Sequence, residues 1–196
     1  MDTKTMILKT ALELYNSQGV NAVTSRHIAA KMGISAGNLH YHFRKTDEII
    51  RKLYEQLAAE FDLIMAGLES IEEMSMEIFR EGSVQSFELI YKYRFIFLHF
   101  VEISLRIPSI RKDYYALTQR RTTQFLAVFE QLKAKGIFRN DLPENAWETL
   151  VQQIFIVADF WLSNNELTIR LKGGNAVKHY SRVFSGIFYP YLAVVP

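Results

Sequence analysis

The chain has 196 residues, of which 49% are hydrophobic, and its formal net charge is +2. That apolar fraction is sufficient for a substantial core and excludes a disordered chain. The absence of cysteine excludes a disulfide framework, a thiolate metal site and a thiol nucleophile. The first residues lack the apolar core of a signal peptide, and no run of about 18 uncharged apolar residues occurs. We therefore expect a cytoplasmic protein with no membrane span.

Positive charge is concentrated near the start of the chain. Residues 1–54 contain eight Lys and Arg against four Asp and Glu, whereas the remaining residues contain 15 against 17. A basic N-terminal region attached to a slightly acidic remainder favours a polyanionic partner for the N-terminal region alone.

The first predicted helix covers residues 3–17. Its apolar residues recur at the three- and four-residue spacing of one helix face, and they are Ile7, Leu8, Ala11, Leu12 and Tyr15. Gln18 and Gly19 end this helix.

Residues 24–45 predict two short helices joined by a tight turn. Thr24 is a suitable N-cap for a helix over residues 25–32, and Ser35 is suitable for a second helix over residues 36–42. Gly33 stands where the end of the first helix needs a residue that tolerates positive φ. The apolar residues that can share one small core are Ile28, Ala29, Met32, Ile34, Leu39 and Phe43. This is the pattern of a helix-turn-helix.

The outward side of the second helix is rich in hydrogen-bonding groups. They are Asn38, His40, Tyr41 and His42, with Arg44 and Lys45 just beyond. Asn can bond adenine in a major groove, and His, Tyr and Ser can bond bases or phosphates. The alternative is an αα-hairpin inside a helical bundle whose polar face is only solvated. The pattern favours DNA binding over that alternative.

The same stretch resembles the DNA-binding region of the TetR (tetracycline repressor) family of bacterial transcriptional regulators. The residues that match its motif are Thr24, Ile28, Ala29, Gly33, Ile34, Ser35, Gly37, Leu39, Tyr41 and Phe43. The family's lysine after the phenylalanine corresponds most naturally to Lys45, and His40 stands where the family varies. The resemblance covers about residues 5–55. It implies a dimeric, ligand-responsive transcriptional regulator, more often a repressor than an activator, that is released from its operator by a small molecule.

On this basis we predict that residues 35–42 enter the major groove of double-stranded operator DNA. The predicted DNA-binding residues are Ser25, Ser35, Asn38, His40, Tyr41, His42 and Lys45. Asn38 and His42 are the best candidates for reading bases, and Ser25, Tyr41 and Lys45 for holding phosphates. The role of His40 stays open.

A fourth helix is predicted from Thr46 to about residue 68, with Asp47 and Glu48 in its first turn. Its first residues belong to the N-terminal head and the rest to the body, so it is expected to act as a rigid lever. We therefore predict a helix-turn-helix DNA-binding domain over residues 1–53 and a helical ligand-binding and dimerisation domain over residues 54–196. The predicted fold is all-α, a three-helix head followed by a larger helical-bundle body, with about nine helices.

The central helices of the body are predicted over residues 74–92, 93–106 and 109–135. Residues 93–106 are apolar nearly all round, as expected of a buried helix. His99 and Glu102 share one face of it. They either line a ligand cavity or form an internal hydrogen-bonded pair, with Glu102 also able to reach the surface. The candidate pocket residues for a small, mostly apolar effector are Phe97, His99, Glu102, Tyr114, Gln152 and Trp161.

The last two helices are predicted over residues 143–166 and 175–192. Both have more apolar surface than one core-facing stripe requires, which is typical of a partner surface. The resemblance implies that they form the four-helix interface of a two-fold homodimer. The predicted interface residues are Phe155, Asp159, Leu162, Tyr180, Phe184, Ile187 and Phe188. Asp159 is either an interface group or a pocket group, and the alternative for both helices is that they only complete the core.

The sequence offers little support for an enzyme. It has no Gly-rich phosphate loop, no Gly-x-Ser-x-Gly and no His-Glu-x-x-His. His40 and His42 are two residues apart on a helix and point to different sides, so no metal site and no cofactor are expected. The rival classes are an enzyme built in a helical bundle and a dimeric adaptor that binds protein through the basic head. The operator, the effector and the regulated genes do not follow from the sequence.

Overall fold

The computed structural model describes residues 2–69, 71, 75–143 and 145–193. Within them the regular structure is ten α-helices and one 3₁₀ helix, which confirms the predicted all-α class. The α-helices are α1 Thr3–Gln18, α2 Ser25–Met32, α3 Ala36–His42, α4 Thr46–Glu69, α5 Met76–Lys92, α6 Arg94–Leu98, α7 Phe100–Arg106, α8 Pro108–Ala134, α9 Ala146–Leu167 and α10 Gly174–Gly186, and the 3₁₀ helix is Tyr189–Tyr191. None of these helices is long and apolar enough to span a membrane.

One predicted helix is divided in the structure. Residues 93–106 form α6 and α7, because the chain leaves helical geometry at Tyr93 (φ −104°, ψ 30°) and at His99 (φ −120°, ψ 24°). Phe95, Ile96 and Phe97, successive residues of α6, are all buried. Within the described residues the count is therefore ten α-helices rather than about nine.

The other differences lie at helix ends. Residue 74, the predicted start of the fifth helix, and residue 144, near the predicted start of the eighth, lie outside the described residues. The last helix ends at Gly186 rather than at residue 192, and a 3₁₀ turn follows it. Pro190 lies within that turn and has no backbone N–H to donate to a continuing helix.

The chain divides into two compact units. Unit 1 consists of Met1–Ala59 and Tyr93–Lys112, and unit 2 of Glu60–Lys92 and Asp113–Pro196. Helices α4 and α8 each contribute residues to both units. The functional boundary after residue 53 stays a prediction, since a compact unit is not the same as a functional domain.

Unit 1 joins the first three helices to α6 and α7. The rings of Tyr15 and Phe95 lie 5.0 Å apart, and the Asn16 Oδ1 atom accepts the Phe95 backbone N–H at 3.1 Å. The Arg106 guanidinium donates to the Thr46 hydroxyl at 3.2 Å and pairs with Asp47. The segment 93–112 therefore packs with the N-terminal helices through both apolar and polar contacts.

Unit 2 has a core rich in aromatic side chains. The Phe79 ring lies 5.0 Å from that of Phe188, and the Phe138 ring lies 5.4 Å from that of Trp147. The buried guanidinium of Arg121 pairs with Asp62 and donates to the Gln124 side chain at 2.6 Å. A buried charge needs such partners, since an unpaired one is strongly destabilising.

Candidate nucleic-acid interface

The first helix of the predicted motif is capped at both ends. The Thr24 hydroxyl accepts the His27 N–H at 3.4 Å, and the His27 Nδ1 atom accepts the Thr24 N–H at 3.4 Å, so the two residues form a capping box. Gly33 has φ 68° and ψ 26°, the left-handed conformation predicted for it. The Ile34 N–H then bonds the Ala29 carbonyl at 3.1 Å, which turns the chain sharply toward α3.

The second helix begins only two residues later. The Ser35 hydroxyl accepts the Asn38 N–H at 3.1 Å, as its N-cap role predicts. Leu39 is completely buried and Phe43 nearly so, which fixes the inner face of α3 against the small core. These local contacts confirm the predicted helix-turn-helix.

The opposite face of α3 carries the residues predicted to bind DNA. Ser35, Asn38, His40 and Lys45 are exposed, Ser25 and His42 are half-buried, and Tyr41 is exposed over 86% of its surface. The Tyr41 and His42 rings meet edge to face at 5.2 Å. The structure thus gathers six of the seven residues on or beside α3, with Ser25 at the start of α2. Their contact with DNA stays a prediction.

Charged groups of both signs lie around α3. The Glu48 carboxylate accepts the backbone N–H of Arg44 at 2.9 Å, and Asp47 pairs with Arg106, so both first-turn carboxylates of α4 are engaged. Exposed Lys4 lies with its Nζ atom 5.5 Å from the centre of the Phe43 ring. Sequence reasoning did not single out Lys4, because no spacing rule brings the start of α1 to the end of α3.

The predicted effector residues are divided between the two compact units. Phe97, His99 and Glu102 belong to unit 1, whereas Tyr114, Gln152 and Trp161 belong to unit 2. Phe97 is buried against Phe100, with ring centres 6.1 Å apart. The Nδ1 atom of His99 lies 3.5 Å from a Glu102 carboxylate oxygen, and the Glu102 side chain is 47% exposed. This arrangement is closer to the surface-reaching alternative than to a buried cavity.

The predicted effector residues of unit 2 differ in burial and in their contacts. The indole of Trp161 is buried and stacks on Phe87 at 5.4 Å, whereas Gln152 lies on the exposed side of α9 and lines no described cavity. The place of Gln152 in an effector pocket stays a prediction. Periodicity alone did not show which of the two broad apolar faces of α9 is covered.

A buried acid is the main polar group of α9. The Asp159 carboxylate is 8% exposed and accepts the phenol hydroxyl of Tyr114. Burial raises the pKa of Asp159 to about 6, against the lowering effect of the Tyr114 hydrogen bond. The two residues thus form a buried link between α8 and α9.

The predicted dimer interface residues lie mostly beneath the surface of the single chain. Five of them are buried inside unit 2, namely Asp159, Leu162, Tyr180, Phe184 and Phe188, while Phe155 and Ile187 are half-buried. The assignment of these seven residues to a dimer interface stays a prediction. The sequence showed that α9 and α10 have two apolar faces, but not which face is the outer one. That these two helices mediate dimerisation stays a prediction.

The outer face of the same helices is also apolar. On α9 the exposed fractions are 61% for Ile156, 45% for Phe160 and 84% for Leu167, and on α10 Val183 is 49% exposed. Positions 156, 160 and 167 fall on one narrow stripe of an α-helix, because they are separated by four and seven residues. We call these four residues the outer stripe.

Two family models match the chain. A model described as bacterial regulatory proteins, tetR family, matches residues 7–53, and the TetR model, described as bacterial transcriptional repressor, matches residues 53–194. Together they span nearly all of the sequence.

Curated relatives agree with these matches. The chain is 23% identical over 195 residues to the HTH-type transcriptional repressor KstR2 of Rhodococcus jostii, covering 96% of this chain and 92% of that protein. It is 33% identical over 54 residues to the class A tetracycline repressor protein from transposon 1721 of Escherichia coli, which is 28% of this chain and 25% of that repressor.

Solved structures share the fold. A TetR-family transcriptional regulator from Marinobacter aquaeolei has a TM-score of 0.87 and 26% identity, covering 98% of this chain and 92% of that one. The ketosteroid transcriptional regulator KstR2 of Mycobacterium tuberculosis has a TM-score of 0.75 and 17% identity, covering 97% and 95%. At 17% identity, the similarity to this second structure shows the fold alone.

Proposed function

Because the chain belongs to the TetR family of bacterial transcriptional regulators, we propose that it is a homodimeric repressor that a small-molecule effector releases from operator DNA. Its two relatives above are named as repressors, which supports repression over activation. The observation that carries the proposal is the capped α3, whose inner face is anchored by Leu39 while its outer face exposes Asn38 and Tyr41.

The outer face of α3 suits a major groove. Asn38 carries both an amide donor and a carbonyl acceptor, the pair needed for a bidentate contact to adenine. Tyr41 and Lys45 extend from the same short segment and would hold phosphates. His42, edge to face with Tyr41, is held in orientation by that ring contact.

The outer stripe supports a homodimer. Burial of Ile156, Phe160 and Leu167 against a second copy would remove large apolar side chains from water, which is the main favourable contribution to association. Dimers bring two heads to half-sites about one DNA turn, or ~34 Å, apart. We therefore place the two-fold seam on the outer stripe rather than on the residues buried beneath it.

Effector release is proposed as a shift between two conformations. A ligand that binds better to a dimer whose heads do not match the half-sites lowers operator affinity by the ratio of its two affinities. Helix α4 begins one residue after Lys45 and contributes residues to both units. It is therefore the natural segment for transmitting such a change.

Binding of labelled duplexes from the promoter beside its own gene, measured by fluorescence anisotropy at two salt concentrations, tests the proposal. Lys45→Ala should weaken binding to all duplexes and reduce the salt slope by about one, since one phosphate contact is lost. Asn38→Ala should lose about 1–3 kcal/mol of discrimination between the operator and a single-base variant. Lys172→Ala and Asn175→Ala are matched controls, because both residues are exposed and lie far along the chain from α3.

The proposal would be wrong if Lys45→Ala and Asn38→Ala bound every duplex as the parent does. It would also be wrong if the unaltered chain bound no duplex at low salt.

A further inference from the structure

A pocket of about 460 Å³ lies where the start of α5, the end of α8 and the segment after α10 meet in unit 2. Small-molecule sites commonly measure about 300–1,000 Å³. The residues that line it are Met76, Glu77, Phe79, Arg80, Ser83, Gly136, Ile137, Ser185, Phe188, Tyr189 and Leu192. None of the effector residues predicted from the sequence is among them.

The inner part of the pocket is apolar and rigid. The Phe79 and Phe188 rings are 3% and 1% exposed and meet edge to face at 5.0 Å. The wall at Leu192 is held by a β-bridge to Phe138, in which the Ala193 N–H bonds the Ile137 carbonyl at 2.9 Å. An apolar ligand would therefore enter a surface that is already shaped for it.

Most polar groups of the lining are already engaged. The hydroxyls of Ser83 and Ser185 each donate to a carbonyl of their own helix at 2.8 Å. At the end of α8 the Leu132 carbonyl accepts the Ile137 N–H at 2.9 Å, and after α10 the Ser185 carbonyl accepts the Phe188 N–H at 3.3 Å. The charged side chains at the rim and the Tyr189 hydroxyl are the remaining polar groups of the lining that can select a ligand.

Arg80 is the cation of that rim. Its Nη2 atom lies 3.5 Å from the Glu77 Oε1 atom, and the two side chains are 61% and 74% exposed. Such an exposed pair contributes little, so Arg80 can turn to another anion without a large loss. Its guanidinium offers a planar fork of donors that matches a carboxylate. Glu77, in the first turn of α5, carries the opposite charge, so a ligand carboxylate has to take its place beside the Arg80 guanidinium.

We propose that this pocket binds an apolar molecule that carries a single carboxylate. The carboxylate pairs with Arg80, and the apolar part lies over Phe79 and Phe188. The assignment rests on the proposed function, since it makes this pocket the effector site. One wall of the pocket is formed by Ser185 at the end of α10 and by residues after Gly186. Helix α10 also carries Val183 of the outer stripe, so a ligand in the pocket contacts a helix that we propose to form the dimer seam.

Isothermal titration calorimetry with three ten-carbon probes, sodium decanoate, decanol and decylamine, each below its micellar concentration, tests the ligand class. The full-length protein should bind decanoate more tightly than decanol and decanol more tightly than decylamine. Arg80→Gln should weaken decanoate about tenfold, as expected for the loss of a charge-assisted hydrogen bond, and leave decanol within about twofold. Arg111→Gln is the matched control, because Arg111 is exposed and lies outside the pocket.

Ser83→Phe and Ser185→Phe each place a large side chain in the pocket, from two different helices. Circular dichroism shows which of them folds, and one folded variant is enough for the test. Either folded variant should lose binding of both decanoate and decanol. Decanoate binding that is absent from the parent, unchanged in Arg80→Gln, or unchanged in a filled variant would overturn the proposal. Operator binding is measured separately without probe, so a chain that binds DNA but not decanoate refutes this pocket and leaves the proposed repressor function intact.

Discussion

The buried acid of α9 makes the stability of this protein depend on pH in a direction opposite to that of most carboxylates. Burial raises the pKa of Asp159 from 3.8 to about 6 in the folded chain. The folded state therefore prefers the protonated acid more than the unfolded state does. The contribution of Asp159 to stability is greatest below about pH 3.8, falls as the pH rises from 3.8 to 6, and is constant above that.

The size of the effect follows from the two pKa values. The difference between 3.8 and about 6 corresponds to about 3 kcal/mol of unfavourable free energy for the ionised acid above pH 6. Asp159→Asn keeps the shape and the acceptor for the Tyr114 hydroxyl but removes the charge. We expect the variant to be more stable than the parent by roughly 1–3 kcal/mol at pH 7.5, or about 2–4 °C in Tm per kcal/mol for a chain of this length.

Urea unfolding of the parent and Asp159→Asn, at one fixed protein concentration and at several pH values between 4 and 8, measures the difference. The advantage of the variant should shrink as the pH falls below 6 and vanish near pH 4. Glu166→Gln is the matched control, since Glu166 is an exposed carboxylate of the same helix. If Asp159→Asn is no more stable at pH 7.5, or if its advantage does not change with pH, the burial argument is refuted.

Three further predictions concern unit 1 and the outer stripe. The Tyr15 hydroxyl is buried with no hydrogen-bond partner among the described residues, and burial raises the pKa of Tyr15. In urea unfolding, Tyr15→Phe should therefore leave the free energy of unfolding unchanged or raise it by up to about 1 kcal/mol. A clear loss of stability would contradict this. Gly33→Ala should lower the free energy of unfolding by about 1–2 kcal/mol, because the left-handed φ of 68° is strained for alanine. The loss comes from the backbone alone, since no atom lies within 4 Å of the added Cβ. An equally stable variant would refute the assigned turn. Phe160→Glu should convert the dimer to a monomer in light scattering. Leu63→Glu should not, although Leu63 is an apolar residue that is more exposed than Phe160, because it lies outside the stripe. A dimeric Phe160→Glu would place the seam elsewhere.

The N-terminal motif could be predicted from the sequence because its structure is local. Thr24, Gly33 and Ser35 each act within four residues along the chain, by a cap or by a permitted backbone conformation. Such short-range rules do not depend on the rest of the fold. The helix bounds of α2 and α3, the family and the all-α class were therefore predicted correctly.

The body depended on contacts that no local rule contains. Periodicity showed that α9 has two apolar faces, but only the packed structure shows that Leu162 faces the core while Ile156 faces outward. Phe95, between the breaks at Tyr93 and His99, meets Tyr15 from 80 residues away along the chain, which no local rule predicts. The pocket beside Arg80 is likewise made by three segments remote in sequence. The sequence by itself determined the helix-turn-helix motif and the helical class, because caps and periodicity are properties of neighbouring residues. Only the tertiary structure decided which faces are buried and where a cavity is left, because burial is a property of the whole packed chain.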